Sequence, residues 1–310
     1  TEPTLRKRKK LETVTIPMKG GFGSSLSPSV EVGDQVQPGE IIARNDNSIS
    51  TPVHSSLGGE VIEIVELDSY HEETRDKLDG KMKGVRISVS SKQDTEVSGI
   101  DWEKEKPKNL RELLYLAGLT SFGQTGVPTE FQSSLFPPSQ VDKILINGVK
   151  TEPFVHHVID YGNEFSRYKT GLEVLARAFP KSQLHLFLDQ KVQEKLKELS
   201  SSQRIKVHYV QNESYMSKSK MLARELFEGV HREKLDEGGY LLDHGLLALP
   251  EIFPLSTYRA IVEGIPFIRR RFSLSGPANE NTIIETPIGT PVKYAIEEDI
   301  KKDGDFLTIV

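Results

Sequence analysis

The 310-residue sequence contains no cysteine. Disulfides and cysteine-ligated iron–sulfur clusters both need thiolates, so these residues can form neither. The sequence also lacks a run of about 18 apolar residues, the length that a membrane-spanning helix requires. No apolar stretch follows the basic residues near the start, which argues against a secretory signal. We therefore expect a cytoplasmic protein that holds no iron–sulfur cluster.

The charge balance excludes a general affinity for nucleic acid, because the net charge is −5. Charged residues make up 27% and hydrophobic residues 36% of the chain, which is typical of a soluble globular protein. Its length predicts two or three modules. One basic run stands out at residues 6–10, RKRKK. Its ordinary interpretation is a solvated tail, and the alternative is contact with anionic lipid or an acidic partner.

Motifs for metal binding and for self-contained catalysis are also missing. Among eight histidines, only His156 and His157 are adjacent. Adjacent strand residues point to opposite faces, so this pair would make a poor chelate. The sequence has no HExxH motif, no P-loop and no Gly-x-Ser-x-Gly elbow. We predict no metal site and no catalytic residue.

The first part of the chain has the pattern of a small β-domain. Short β-branched runs cut by glycine and proline fill residues 14–65, and "VEVGDQVQPGEIIA" and "GGEVIEI" frame two hairpins. The stretch 30–64 resembles half of a swinging-arm carrier domain, but it contains no lysine. We therefore predict a carrier-like domain over residues 1–95 without a lipoyl or biotin arm.

From about residue 110 the pattern changes to alternating helices and strands. "VDKILING", "QLHLFLD" and "IKVHYVQ" are buried-type strands, and helical patterns lie between them. This alternation predicts a largely parallel sheet covered by helices over residues 105–245, with a ligand near the carboxyl ends of the strands. Residues 246–310 become β-rich again.

Five stretches in a fixed order carry a family resemblance. They are "MKGGF", the lysine-free hairpins, "LAGLTSFGQTGVPT", "ILINGVKTEPF", and "AIVEGIPFIRRRFSLSG" followed by "IGTPV". Together they resemble RnfC, the C subunit of the bacterial Rnf electron-transport complex. They are more distantly similar to NqrA, the A subunit of the sodium-pumping NADH:quinone reductase, and to the flavin-bearing subunit of respiratory complex I. Rnf C subunits normally continue into a segment with cysteine-ligated clusters, which is missing from this sequence.

The resemblance implies a fold class: α/β with flanking β modules. Residues 1–95 would form a barrel-sandwich hybrid. Residues 105–245 would form an α/β domain of the complex I flavin-subunit type. Residues 246–310 would form a β-grasp module of the SLBB type.

The loop "GLTSFGQTGVPT" is the first candidate cofactor site. In flavin-binding relatives the corresponding loop is similar to G-x-G-G-A-G-F-P-T, in which glycines let the backbone approach a phosphate or flavin. The resemblance gives as cofactor-binding candidates Gly123, Gln124, Thr125, Gly126 and Thr129. Gln124 and Thr125 add bulk where the family has small residues. Both a working cofactor loop and an inert turn therefore remain open.

Two further stretches complete the predicted site. In "INGVKTEPF" the resemblance implies that Asn147, Lys150 and Glu152 contact flavin or nicotinamide nucleotide, although Lys150 replaces an acidic residue. The alternative is that Asn147 caps the strand end and Glu152 belongs to a turn. In "ESYMSKSK" the candidates are Tyr215 and Lys218, and the alternative is helix capping by Ser217.

The resemblance implies a peripheral subunit on the cytoplasmic face of a membrane-bound, ion-translocating redox complex. Such a subunit would link oxidation of NADH or another donor to electron transfer into membrane flavoprotein subunits of the B/D type, with FMN and NADH as cofactors. Two alternatives remain open. One is a docking subunit that binds neither flavin nor NADH, and the other is an adaptor outside any ion pump.

Overall fold

A computed structural model gives the structure of the chain over residues 4–7, 11–19, 25–44, 50–70, 77–91, 93, 98–120, 141–150, 164–190, 192, 204–211, 219–226, 232–233, 241–275, 282–296 and 308–309.

Strands and helices group into three units along these residues. The strands are β1 Thr4–Lys7, β2 Thr13–Pro17, β3 Gln35–Val36, β4 Ile41–Ala43, β5 Val53–His54, β6 Gly59–Tyr70, β7 Lys77–Val89, β8 Lys143–Gly148, β9 Gln183–Asp189, β10 Ile205–Val210, β11 Leu246–Pro250, β12 Arg269–Ser275, β13 Thr282–Pro287 and β14 Thr308–Ile309. The α-helices are α1 Pro107–Leu116, α2 Glu164–Ala178, α3 Ser219–Arg224, α4 Phe253–Ile261 and α5 Val292–Ile296, and a 3-10 helix spans Leu241–His244.

The first unit is a β-domain built as the sequence predicts. An antiparallel sheet has the order β2-β7-β6-β3, and β4 pairs with β5. Alternate residues of β2, Val14 and Ile16, are 1% exposed and join a separate apolar core, as expected for strands with one buried face. We predicted an exposed loop over residues 67–81, but 67–70 and 77–81 lie in strands, because β6 continues to Tyr70 and β7 begins at Lys77.

The second unit contains the predicted parallel sheet, in the order β10-β9-β8-β11. Apolar side chains cover both faces of its central strands, which explains their nearly continuous hydrophobic sequences. On one face, Ile144, Ile146 and Leu186 pack with residues from α1, α2 and α4. On the other face, Leu145 and Phe187 pack with Leu222 and Ala223 of α3. Residues 246–261, which the predicted boundary assigned to the last module, belong to this unit because β11 pairs with β8.

The helices α2 and α4 touch through backbone at Gly171. A Cβ atom added to Gly171 would lie 1.8 Å from the Pro254 carbonyl oxygen. Only glycine can occupy this position without separating the two helices.

The third unit is a mixed sheet with the order β1-β13-β12-β14, covered in part by α5. The residues Thr4–Lys7 pair in parallel with Thr282–Glu285. The first two residues of the basic run, Arg6 and Lys7, therefore lie in a strand of a sheet and not in a tail. The SLBB assignment of this unit stays a prediction.

Specific contacts join the three units. The Tyr115 hydroxyl of α1 donates to the Ser50 carbonyl oxygen at 3.4 Å. The Ser56 hydroxyl donates to the Ile288 carbonyl oxygen at 2.6 Å. The first unit thus rests on both of the others.

Candidate functional site

Buried polar side chains meet at the carboxyl edge of the parallel sheet. Strand register places Pro250 opposite Asn147 and Gly148 opposite Leu188. Asn147 and Ser219 are each 8% exposed, Glu251 is 2% exposed and Asp189 is 1% exposed. Ligands of open parallel sheets bind at this edge, so it is the candidate site.

Asn147 uses both ends of its side-chain amide in contacts within the protein. Its Nδ2 donates to the Ser219 hydroxyl at 3.1 Å, and its Oδ1 accepts from the Val149 N–H at 3.2 Å. The second contact closes the end of β8, as in the alternative interpretation of Asn147 as a strand cap. A cofactor that displaced either partner would lose that hydrogen bond.

Lys150 is paired with an acidic side chain that the sequence predictions did not include. Its ammonium lies 3.0 Å from the Glu251 carboxylate, and the Lys150 and Glu251 side chains are 22% and 1% exposed. The buried Tyr168 hydroxyl is close enough to be affected: burial, and then the Glu251 charge, raise the pKa of Tyr168 well above its usual value. The only sequence signal for Glu251 was its place directly after the apolar strand "LLALP".

Protein atoms fill the space beside Gly148. An added Cβ would lie 2.7 Å from Leu188 Cδ2 and 2.9 Å from the Phe187 carbonyl oxygen. This glycine therefore serves strand packing. Asn147 and Lys150 each have partners within the protein, and their role in binding a flavin or nucleotide stays a prediction.

The other predicted cofactor residues lie outside the described residues. They are Gly123, Gln124, Thr125, Gly126, Thr129, Glu152, Tyr215 and Lys218. Their role in binding a cofactor stays a prediction.

His54 lies where the first unit meets α1. It is 7% exposed, and a Cβ added to Gly118 would lie 3.3 Å from its Nδ1. Burial lowers its pKa to about 4, although a hydrogen bond to the Leu116 backbone opposes the shift. Its burial and its contacts with α1 fit a structural role for this histidine.

His185 and His208 form a pair on neighbouring strands of the parallel sheet. His185 Nδ1 and His208 Nε2 are 2.9 Å apart, and burial, aided by nearby positive charge, lowers the pKa of His185 to about 4. Over the described ranges, no group of three or more His, Asp or Glu side chains could hold a metal ion.

None of the described helices is both long enough and apolar enough to cross a membrane.

A family model for the RnfC barrel sandwich hybrid domain matches residues 2–87, which confirms the predicted class of the first unit. The chain is 26% identical over 297 residues to the C subunit of a proton-translocating ferredoxin:NAD(+) oxidoreductase complex from Clostridium ljungdahlii. It is 22% identical over 302 residues to the C subunit of a Na(+)-translocating ferredoxin:NAD(+) oxidoreductase complex from Acetobacterium woodii.

These alignments cover 92% and 94% of this chain, but 62% and 65% of the two relatives. The chain thus spans less than two thirds of their length. Among solved structures, an NAD+-reducing nickel–iron hydrogenase is similar with a TM-score of 0.47 and 16% identity, over 63% of this chain and 40% of that one.

Proposed function

We propose, from its similarity to Rnf C subunits, that the chain belongs to an RnfC-like family and is a subunit of a membrane-bound, ion-translocating oxidoreductase complex. The observation that carries this proposal is the extent of the similarity. It runs through all three units and covers more than nine tenths of the chain in two relatives. A match restricted to the β-domain would support only a shared module.

The proposed position is peripheral, on the cytoplasmic side of the membrane. There the chain would contact membrane flavoprotein subunits of the B/D type. The two relatives are named for electron transfer between ferredoxin and NAD(+) coupled to ion translocation. We propose the same class of reaction for the complex that contains this chain, with Na+ or H+ as the ion.

Within that complex we favour docking over electron uptake for the described carboxyl edge. This preference is supported by the pairs Asn147–Ser219 and Lys150–Glu251. An FMN or NADH molecule that displaced either pair would leave a buried polar group or a buried carboxylate without its partner, and both changes cost free energy. Electron uptake through the loop of residues 118–129 is the other candidate, and the glycines of its sequence support it.

Co-purification tests membership of the complex. A tagged form of the chain would be expressed in its native host, and membranes would be solubilised in mild detergent. We expect the chain to co-purify with multi-span membrane proteins that carry flavin. Recovery of the chain alone, from a lysate in which such proteins are present, would contradict the proposal.

Titration with FMN, and then with NADH, distinguishes docking from electron uptake. Docking predicts no fluorescence change at micromolar ligand. Binding with micromolar affinity, equivalent to about −8 kcal/mol, would favour electron uptake. In that case Gly123→Val should abolish binding and leave the thermal transition unchanged.

A further inference from the structure

A small cavity lies where helix α4, the segment after it and strand β12 meet. Ser256 and Arg259 line it from α4, and Arg269 lines it from the first position of β12. Residues 265–268 close it between them. It encloses about 30 Å³, which is room for about two water molecules. A carboxylate group has about this size, whereas a flavin or a nucleotide is far larger.

Backbone hydrogen bonds hold the wall of this cavity in place. The Ile265 N–H donates to the Arg259 carbonyl oxygen at 2.8 Å, and the Phe267 N–H donates to the Ala117 carbonyl oxygen of α1 at 2.8 Å. The turn before them is fixed by Gly264, whose φ of +72° favours glycine. The cavity is therefore already formed, and a ligand would not have to order the segment in order to bind.

Strand alternation directs Arg269 toward the second unit. Arg271, two residues later on the same face of β12, donates to the Glu164 carboxylate of α2 at 3.1 Å. Arg270 between them is exposed and lies on the opposite face, whereas Arg269 is partly buried. The Arg269 side chain thus belongs to the face of β12 that packs toward α2 and α4.

The acids on this face of β12 already have arginine partners. Three glutamates and three arginines form one network of ion pairs. They are Glu164, Glu263 and Glu285, with Arg167, Arg259 and Arg271. The charges of this network balance, and no acid among the described residues pairs with Arg269. A ligand in the cavity would therefore meet one positive charge that the protein itself does not match.

Ser256 adds a buried hydroxyl to the same cavity. Its side chain is 9% exposed, and its hydroxyl has no hydrogen-bond partner among the described residues. A buried polar group without a partner costs free energy. A carboxylate oxygen in the cavity would accept the hydrogen bond that Ser256 can donate.

We propose that this cavity binds a single carboxylate attached to a short apolar group. The Arg269 guanidinium donates two parallel hydrogen bonds to the carboxylate, and the Ser256 hydroxyl donates a third. Ile265 and Pro266 line the cavity with apolar surface for the attached group. One unmatched positive charge suits a monocarboxylate better than a dicarboxylate. This binding site goes beyond the proposed function and does not depend on it.

Saturation-transfer NMR on the purified full chain tests the site, with propionate as the probe. For a ligand this small we expect a dissociation constant on the order of 1 mM. Propionamide has the same shape without the charge, and it should bind at least about tenfold more weakly. Succinate should also bind more weakly than propionate, because its second carboxylate finds no counter-charge in the cavity.

Substitutions assign the binding to the named side chains. Arg269→Gln should weaken propionate binding at least about tenfold, and Ser256→Ala about fivefold. Arg269→Lys keeps the charge without the planar fork and should lie between Arg269→Gln and the unchanged chain. The matched control is Arg270→Gln, which removes the same charge from the opposite face of the strand and should leave propionate binding unchanged. Thermal melts check that each variant is folded.

Two sources could supply this carboxylate: a free short-chain acid, or an acidic side chain of a partner protein. The purified complex distinguishes them, and this comparison alone rests on the proposed function. Propionate binding by the complex equal to that of the isolated chain would assign a free acid. Binding that the complex blocks and the isolated chain regains would assign a partner's side chain.

Three results on the isolated chain would overturn the proposal. They are no binding of propionate, equal binding of propionamide, and equal binding by Arg269→Gln and the unchanged chain. Complex membership is judged separately by co-purification. Failure of co-purification with intact propionate binding would reject the proposed function alone, and the reverse result would reject the carboxylate site alone.

Discussion

Lys150 and Glu251 form an ion pair across the carboxyl edge of the parallel sheet, with 3.0 Å between the ammonium and the carboxylate. The Glu251 side chain is 1% exposed, so water cannot stabilise its charge. At this position the resembled family has an acidic residue, and this chain has Lys150 instead. The structure gives this lysine an internal role, which supports docking over cofactor binding at this edge.

Substituting Lys150 tests the pair. Lys150→Ala removes a counter-charge from a buried carboxylate and should lower the free energy of unfolding by about 3 kcal/mol. Urea denaturation would measure the change. The control is Lys81→Ala, because the Lys81–Glu66 pair has side chains that are 59% and 70% exposed and should contribute less than about 1 kcal/mol. Equal effects of the two substitutions would argue that Glu251 is solvated.

The lowered pKa of His54 should make the stability of the fold depend on pH. Its pKa in the folded protein is about 4, below the ordinary value of 6.5. The unfolded chain therefore binds a proton more readily than the folded one between these values. The stability that neutral His54 provides is fully present above about pH 6.5 and is lost as the pH falls toward about 4.

The measurement is denaturant unfolding of the unchanged chain and of His54→Gln at neutral pH and at pH 5. Because glutamine does not titrate, the His54→Gln variant does not lose this stability when the pH falls. The stability difference between the two proteins should shrink by about 2 kcal/mol at pH 5. His185 titrates in both proteins and cancels in the comparison. A constant difference would mean that His54 is protonated normally.

Replacing Gly171 in α2 by alanine should change stability in the direction opposite to that usual for a helical glycine. Replacing glycine by alanine in a helix normally stabilises it by up to about 1 kcal/mol. Here the added Cβ would meet the Pro254 carbonyl oxygen at 1.8 Å, so Gly171→Ala should destabilise the protein by about 3 kcal/mol. Ser166→Ala, an exposed position of the same helix, should leave the melting temperature almost unchanged. A stabilised Gly171→Ala protein would show that α2 and α4 are farther apart.

Arg271 links the third unit to the second. It donates to Glu285 at 2.6 Å and to Glu164 of α2 at 3.1 Å, and its side chain is 7% exposed. Arg271→Met should therefore cost about 3 kcal/mol in thermal or urea unfolding. Its neighbour Arg270→Gln is the matched control and should cost less than about 1 kcal/mol, because the residue is exposed.

Arg271→Met should also shift the pH at which acid unfolds the protein. Burial raises the pKa of Glu285, but the charges of Arg259 and Arg271 outweigh burial and hold it below the ordinary value. A carboxylate with a lowered pKa stabilises the fold above its unfolded pKa and loses that contribution as the pH falls. Without Arg271 the pKa of Glu285 in the folded protein should rise, so the loss of stability should begin at a higher pH. An unchanged acid transition would assign Glu285 to Arg259 alone.

Residue patterns were sufficient to predict strands in the first unit and a parallel sheet in the second. Short β-branched runs cut by glycine and proline predicted the strands of the β-domain, and the apolar runs "KILING" and "QLHLFLD" predicted strands of a parallel sheet. They could not place β11, because a five-residue apolar strand gives no sign of which sheet it joins. They also could not extend the β6–β7 hairpin, because charged residues in an exposed ribbon resemble those of a loop.

The sequence by itself determined what the chain cannot contain and which elements it forms, because thiolates, apolar runs and hydrophobic periods are local properties. The tertiary structure alone decided which distant residues meet. It paired Lys150 with Glu251 and Asn147 with Ser219, and it placed the N-terminal strand in one sheet with the strand of Arg270. Such contacts depend on strand order and register, which many sequences of the same periodicity could satisfy in different ways.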